Sequence, residues 1–127
     1  DNDGATISGT TATLTGGAGN DIVEGTDMIG QTLVGGNGND ILISANQAHT
    51  MTGGDGADRF VVVASGPDTI TDFDPSQDDQ LDLSGLITAY DQQFSKPEDF
   101  LTFTFDAAGG NTQIFTQPGN VLVAILE

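Results

Sequence analysis

A six-residue phrase, Gly-Gly-x-Gly-x-Asp, occurs at 16–21, 35–40 and 53–58, with its starts 19 and 18 residues apart and all twelve fixed positions matched. A near-constant period this short constrains the fold more than any local propensity does. One such unit cannot bury its own apolar side, so neighbours must stack. Each phrase runs into an apolar position, at Val23, Leu42 and Phe60. The intervening nonamers, TDMIGQTLV (26–34) and SANQAHTMT (44–52), lack the glycines but keep an apolar residue in register, Leu33 and Met51. Leu14 and Ile70 fit the same frame if single insertions fall at Gly25 and near Val62. The chain therefore reads as a coil with two short strands per turn, around a thin core of Leu14, Val23, Leu33, Leu42, Met51, Phe60 and Ile70.

Charge narrows what such a coil can hold. The 127 residues carry 19 Asp and Glu against two basic residues, Arg59 and Lys96, for a formal net charge of −17. Only Glu24, Glu98 and Glu127 are glutamates; the rest are aspartates, short side chains that favour turns over helices. This balance repels nucleic acid and anionic membrane surfaces, and it favours a cation. No run approaches the length of a spanning helix, so no membrane insertion is expected. Without cysteine there is neither a disulfide nor a thiolate metal site. The first residues, DNDGATISG, show neither an initiating Met nor a basic targeting region, as expected of a module from a larger chain, here read as monomeric.

The three phrases and their following apolar residues resemble the nonapeptide repeat of the RTX (repeats-in-toxin) family. That resemblance implies an all-β chain, a right-handed parallel β-roll (β-solenoid) with a C-terminal antiparallel strand cap. It divides the chain into a calcium-binding roll over 1–83 and a cap with secretion signal over 84–127. In such a roll each nonamer gives a loop of six residues and a strand of three. The loops at 16–21, 35–40 and 53–58 then stack on one edge, and the degenerate loops fall on the other.

Stacked strands repeat at about 4.8 Å, which places Asp21, Asp40 and Asp58 one above another. Two unit charges about 5 Å apart repel by roughly 3 kcal/mol at an effective dielectric of 20. A cation is needed, and the donors choose it. Carboxylates with inward-turned carbonyls make a hard oxygen shell suited to Ca²⁺ rather than Mg²⁺, whereas zinc would want more than the one histidine present. The expected ligands come from Gly16, Gly17, Ala18, Gly19 and Asp21, from Gly35, Gly36, Asn37, Gly38 and Asp40, and from Gly53, Gly54, Asp55, Gly56 and Asp58. Three loops make two complete sites, Asp21 with Asp40 and Asp40 with Asp58. Further sites are expected at the ends. Asp3, 18 residues before Asp21, fits a truncated loop. DTITDFDPSQDDQLDLSGL (68–86) resembles the closing segment of RTX rolls, which by that resemblance adds Asp68, Asp72 and Asp79 as ligands.

Other motifs carry less. Asp72-x-Asp74-x-Ser76-x-Asp78 imitates the start of an EF-hand, but Gln77 and Leu83 replace its glycine and its terminal Glu. Gly17-x-Gly19 has no dinucleotide context. His49 lies in a degenerate loop and is expected to be an exposed turn residue. Thr13, Thr15, Thr32, Thr50, Thr52, Thr69 and Thr71 would form outward columns interrupted by Val34, an arrangement open to ice binding but equally to simple sheet stabilisation.

Beyond Ser84 the repeat ends. SKPE (95–98) fits a helix start, FLTFTFD (100–106) alternates as a strand, and NTQIFT and VLVAILE continue as an antiparallel meander. These strands should cover the open end of the roll. The final VLVAILE also resembles the C-terminal signal of RTX proteins, implying export by a type I secretion transporter and an extracellular destination. No His-Glu-x-x-His and no Gly-x-Ser-x-Gly occurs, so catalysis is not expected here. The resemblance implies the secretion and folding end of a large protein, an adhesin first, or an RTX metalloprotease or lipase.

Overall fold

Segments with one apolar residue between two polar or outward neighbours become strands because only the central side chain can be inside. In a computed structural model, which describes residues 6–63, 66–87, 101–106, 108–116 and 121–127, such segments build two sheets. One holds β1 (Thr6–Ser8), β3 (Ile22–Glu24), β5 (Ile41–Ile43), β7 (Arg59–Val61) and β9 (Gln80–Asp82), all parallel. The other holds β2 (Thr13–Ala18), β4 (Thr32–Asn37), β6 (Thr50–Asp55) and β8 (Asp68–Ile70), also parallel. Because the chain alternates between sheets, it winds into a β-solenoid of about four turns. The register Val23↔Leu42↔Phe60 in one sheet and Leu14↔Leu33↔Met51↔Ile70 in the other stacks all seven expected core residues, each buried.

The loops begin later than the repeat predicts. β2, β4 and β6 run on through both glycines, with Gly17↔Gly36↔Gly54 in register, so only the last three residues of each phrase form the turn. Glycine allows this because adjacent coils nearly touch there. A Cβ on Gly36 would strike the Gly17 carbonyl, and its φ of 128° lies where L side chains rarely go.

The cap is an extension of the second sheet. β12 (Val121–Leu126) lies parallel beside β8, with Ala124↔Asp68, Ile125↔Thr69 and Leu126↔Ile70. β11 (Asn111–Thr116) and β10 (Leu101–Asp106) follow antiparallel, as the alternating patterns predict. Ile114, Val123 and Ala124 join the core of the roll. Between β8 and β9 a 3₁₀ turn, Pro75–Gln77, is capped by the Asp74 carboxylate on Ser76 N–H and ends at Asp78 with φ 68°. The expected helix start at 95–98 and the expected ligand Asp3 lie outside the described residues.

Candidate metal centre

The turns that link the second sheet to the first bring Asp21, Asp40, Asp58 and Asp79 to one edge, one per coil. Each of the first three is tied to the coil after it, since Asp21 O, Asp40 O and Asp58 O accept from Ile41, Arg59 and Gln80 N–H at the starts of β5, β7 and β9. Their carboxylates form a ladder: Asp40 Oδ1 accepts from Asp21 N–H at 2.8 Å, Asp58 Oδ1 from Asp40 N–H at 2.8 Å, and Asp79 Oδ1 from Asp58 N–H at 2.9 Å. A second ladder runs the opposite way along the stack, with Asn20 Oδ1 accepting from Asn39 N–H and Asn39 Oδ1 from Ala57 N–H. The sequence reading missed this one. Its signal was the Asn at the fifth position of two of the phrases.

At least one oxygen of each repeat aspartate is left over. Asp40 Oδ2, Asp58 Oδ2 and both carboxylate oxygens of Asp21 are buried without a hydrogen-bond partner. Such atoms are costly unless something meets them. They do not point at random. A Cβ added at Gly16 would lie 2.9 Å from Asp21 Oδ2 and 2.7 Å from the Gly35 carbonyl; one added at Gly35 would meet Asp40 Oδ2 and lie 2.6 Å from the Gly53 carbonyl. The first glycine of each of the first two loops therefore keeps open a small space that a carboxylate of its own coil and a carbonyl of the next coil both face, while at Gly53 the nearest atoms are those of the Asp58 side chain. Hard oxygens, a carboxylate and a carbonyl at each such space, fit a calcium-like cation. Among the described residues no three His, Cys, Asp or Glu side chains converge on one point, so main-chain oxygens must complete any shell.

The electrostatics match. Burial raises the Asp40 carboxyl above its usual range, and the Asp21 charge adds to it. Burial pushes the Asp58 carboxyl up to about 6, with the charges of Asp40, Asp79 and Asp72 adding, against the hydrogen bond from Asp40 N–H. No basic side chain relieves this edge among the described residues. Arg59 pairs instead with Asp82, whose carboxyl the Ser84 hydroxyl and N–H, and then Arg59, hold down to about 2.

The closing turn, 72–79, differs from the three repeats. Asp72 takes the register place of a first glycine, and its two oxygens accept from Gly53 N–H at 2.9 Å and Gly54 N–H at 2.8 Å. Asp79 Oδ2 accepts from Asp74 N–H at 2.9 Å, so Asp79 has no spare oxygen of the Asp40 kind. Asp72 and Asp79 thus join the column, both already hydrogen-bonded. Asp68 does not join it. The coil advance puts Asp68 on the opposite edge, beside His49, because Thr69 is in register with Thr50. His49 is there too, buried rather than exposed as the sequence led us to expect, since its ring fills the space beside Gly25.

A search of curated proteins gives no match. The sequence model of one family, described as peptidase M10 serralysin C terminal, matches residues 6–120, a span that takes in every coil of the roll and both β10 and β11. The chain belongs to the serralysin C-terminal family, a family of RTX-type β-rolls.

Proposed function

We propose that this chain is a calcium-folded, non-catalytic module that ends a large protein exported by a type I system and folds outside the cell. The column of buried aspartates with unpartnered oxygens carries this reading. Bound calcium would supply the positive charge that the edge lacks. One ion would be held by Asp21, Asp40 and carbonyls of the first two loops. A second would be held by Asp40, Asp58 and carbonyls of the second and third. A third ion beside Asp58 would have to draw on main-chain oxygens, since the Asp72 and Asp79 oxygens already accept from backbone N–H groups.

The mechanism is linkage. An ion that binds only the folded chain stabilises it by RT ln(1 + [L]/Kd) per site, and extracellular modules bind calcium with Kd of about 10⁻⁴ to 10⁻³ M. At the far lower calcium of a cell interior that contribution vanishes and carboxylate repulsion holds the chain open. An open chain can thread a transporter, for which the C-terminal segment ending in VLVAILE serves as the signal. In this reading 1–83 is the calcium-dependent roll and 84–127 its cap and signal.

The parent is an adhesin in our first reading. The family match favours a second, in which the module follows a metalloprotease domain; a His-Glu-x-x-His helix upstream of Asp1 would select it. In either case circular dichroism with and without EGTA tests the module itself. The β signal is expected to appear with millimolar calcium and vanish on chelation, and a chain equally folded in both conditions overturns the scheme.

A further inference from the structure

The edge opposite the aspartate column is also polar inside, and the repeat does not account for it. Gln31 and His49 stand immediately before β4 and β6 and Asp68 opens β8, in register with one another, and all three are buried. The Gln31 carboxamide ties its coil to the one before: Nε2 donates to Gly9 O at 2.9 Å and Thr11 O at 2.8 Å, while Oε1 accepts from Thr26 N–H at 2.7 Å within its own β3–β4 connection. His49 Nε2 lies 2.9 Å from Thr26 O. A carbonyl only accepts, so Nε2 carries a hydrogen.

That assignment decides the other nitrogen. His49 Nδ1 faces Asp68 Oδ1 at 3.4 Å, and both side chains are 0% exposed. Asp68 Oδ1 also accepts from His49 N–H at 2.8 Å. A bare carboxylate against a bare ring nitrogen in such a place would pair two acceptors. One proton between them, on the ring or on the carboxyl, removes the conflict and leaves the pair with no net charge. Burial, opposed by hydrogen bonding from Ser44 and His49, raises the Asp68 carboxyl above its usual range. The groups around the pair are neutral, namely Gly25 and Thr26 of the first coil, Ser44 after β5, and Ala124 of β12 beside Asp68. Glu24 and Asp27, the acids of the adjoining first-coil segment, are exposed.

We propose that this second edge is fastened by the chain's own donors, Gln31 and an Nε2-protonated His49 paired with Asp68, in the inter-coil places that the first edge leaves to a metal ion. Asp68 Oδ2 is buried without a hydrogen-bond partner, as Asp40 Oδ2 is. The contrast is that Asp68 Oδ1 has the His49 ring beside it, whereas the charge that acts on Asp40 in its column is another acid, Asp21. The second edge therefore contributes the same stability at every calcium concentration, whereas the first contributes only when loaded. This contrast rests on the calcium reading of the first edge.

His49 is the chain's only histidine, so its ring signals in a ¹⁵N spectrum of the full, calcium-loaded protein need no further assignment. We expect a hydrogen at Nε2 that exchanges slowly with water. A ring protonated at Nδ1 alone, or one in rapid exchange, overturns the proposal. Urea unfolding at successive tenfold steps of calcium supplies the second test. Gln31→Ala, Gln31→Met and Asp68→Asn should lower the midpoint equally at every step, leaving the slope of stability against log calcium at its wild-type value. Asp40→Asn should reduce that slope. A reduced slope in any of the Gln31 or Asp68 variants sinks the proposal. Should the wild type itself show no slope, the calcium reading of the first edge falls, and the ring spectrum alone then decides the second.

Discussion

Asp40 works in two directions at once: one oxygen holds the backbone of the coil before it, and the other faces the space shared with the coil after it. Removing it should therefore do more than removing Asp21, which begins the described column. We expect Asp40→Ala to abolish both inter-loop calcium sites and to leave the Asp21 N–H unpaired, itself a penalty of about 1–3 kcal/mol. Asp21→Ala should remove one site only, a difference that calorimetric stoichiometry reads directly. The space itself is tested by Gly35→Ala. The added methyl would press on Asp40 Oδ2 and the Gly53 carbonyl, and overpacking of this kind costs about 1–3 kcal/mol, so the calcium midpoint of folding should rise. Protons offer a third route to the same residues. Burial in the calcium-free fold pushes the Asp58 carboxyl up to about 6, above the usual carboxylate range. A carboxyl raised by folding gives stability that is fully present below its unfolded value and is lost as pH rises through its folded value. The calcium-free chain should thus be more folded near pH 4 than at pH 7, measured by circular dichroism in EGTA. Over the same range the calcium-loaded protein should bind its ions less tightly as pH falls.

The strands follow rules that need fewer words. Each contributes one residue to a core only two side chains thick, so a single truncation is felt along the stack. Leu42, fully buried between Val23 and Phe60, should lose about 2–5 kcal/mol on replacement by Ala, read as a lower urea midpoint in saturating calcium. The element-level design was legible because it repeats. Seven core positions, three stacked turns and the terminal meander all left periodic traces. What did not repeat did not show. Gln31, His49 and Asp68 occupy one column with three different residue types, so no periodicity marked them, and a polar residue in a polar loop gives no sign of burial. The closing turn also hid its register, since two added residues put Asp79 21 positions after Asp58 instead of 18 or 19. The strand limits were misread for a different reason. Glycine pairs usually announce turns, yet here the ladder continues through them because the coils sit too close for any Cβ. The threonine columns are present as expected, Thr13↔Thr32↔Thr50↔Thr69, and the Thr52 and Thr71 hydroxyls bond each other at 2.8 Å, the ordinary behaviour of a cross-strand pair.

At the scale of the whole molecule, a net charge of −17 on 127 residues raises the question of which property of calcium the fold needs, its charge or its coordination. General repulsion among exposed acids is screened by salt, with a Debye length of about 3 Å at 1 M. If that were the whole barrier, molar sodium chloride would fold the chain as well as calcium does. The barrier that matters is elsewhere. Asp21, Asp40 and Asp58 are 1% exposed, and their unpartnered oxygens lie where mobile counterions at a distance cannot satisfy them. Only an ion that enters the space beside the first glycine of each loop meets those oxygens. We therefore expect 1 M sodium chloride in EGTA to leave the roll unfolded, and millimolar calcium to fold it at low and at moderate ionic strength alike. Magnesium at the same concentration should do far less, because it gives up its waters reluctantly and demands an octahedron that two carboxylates and turned-in carbonyls do not offer. Folding by salt alone, followed by circular dichroism, would show that charge density rather than coordination is what keeps this chain open.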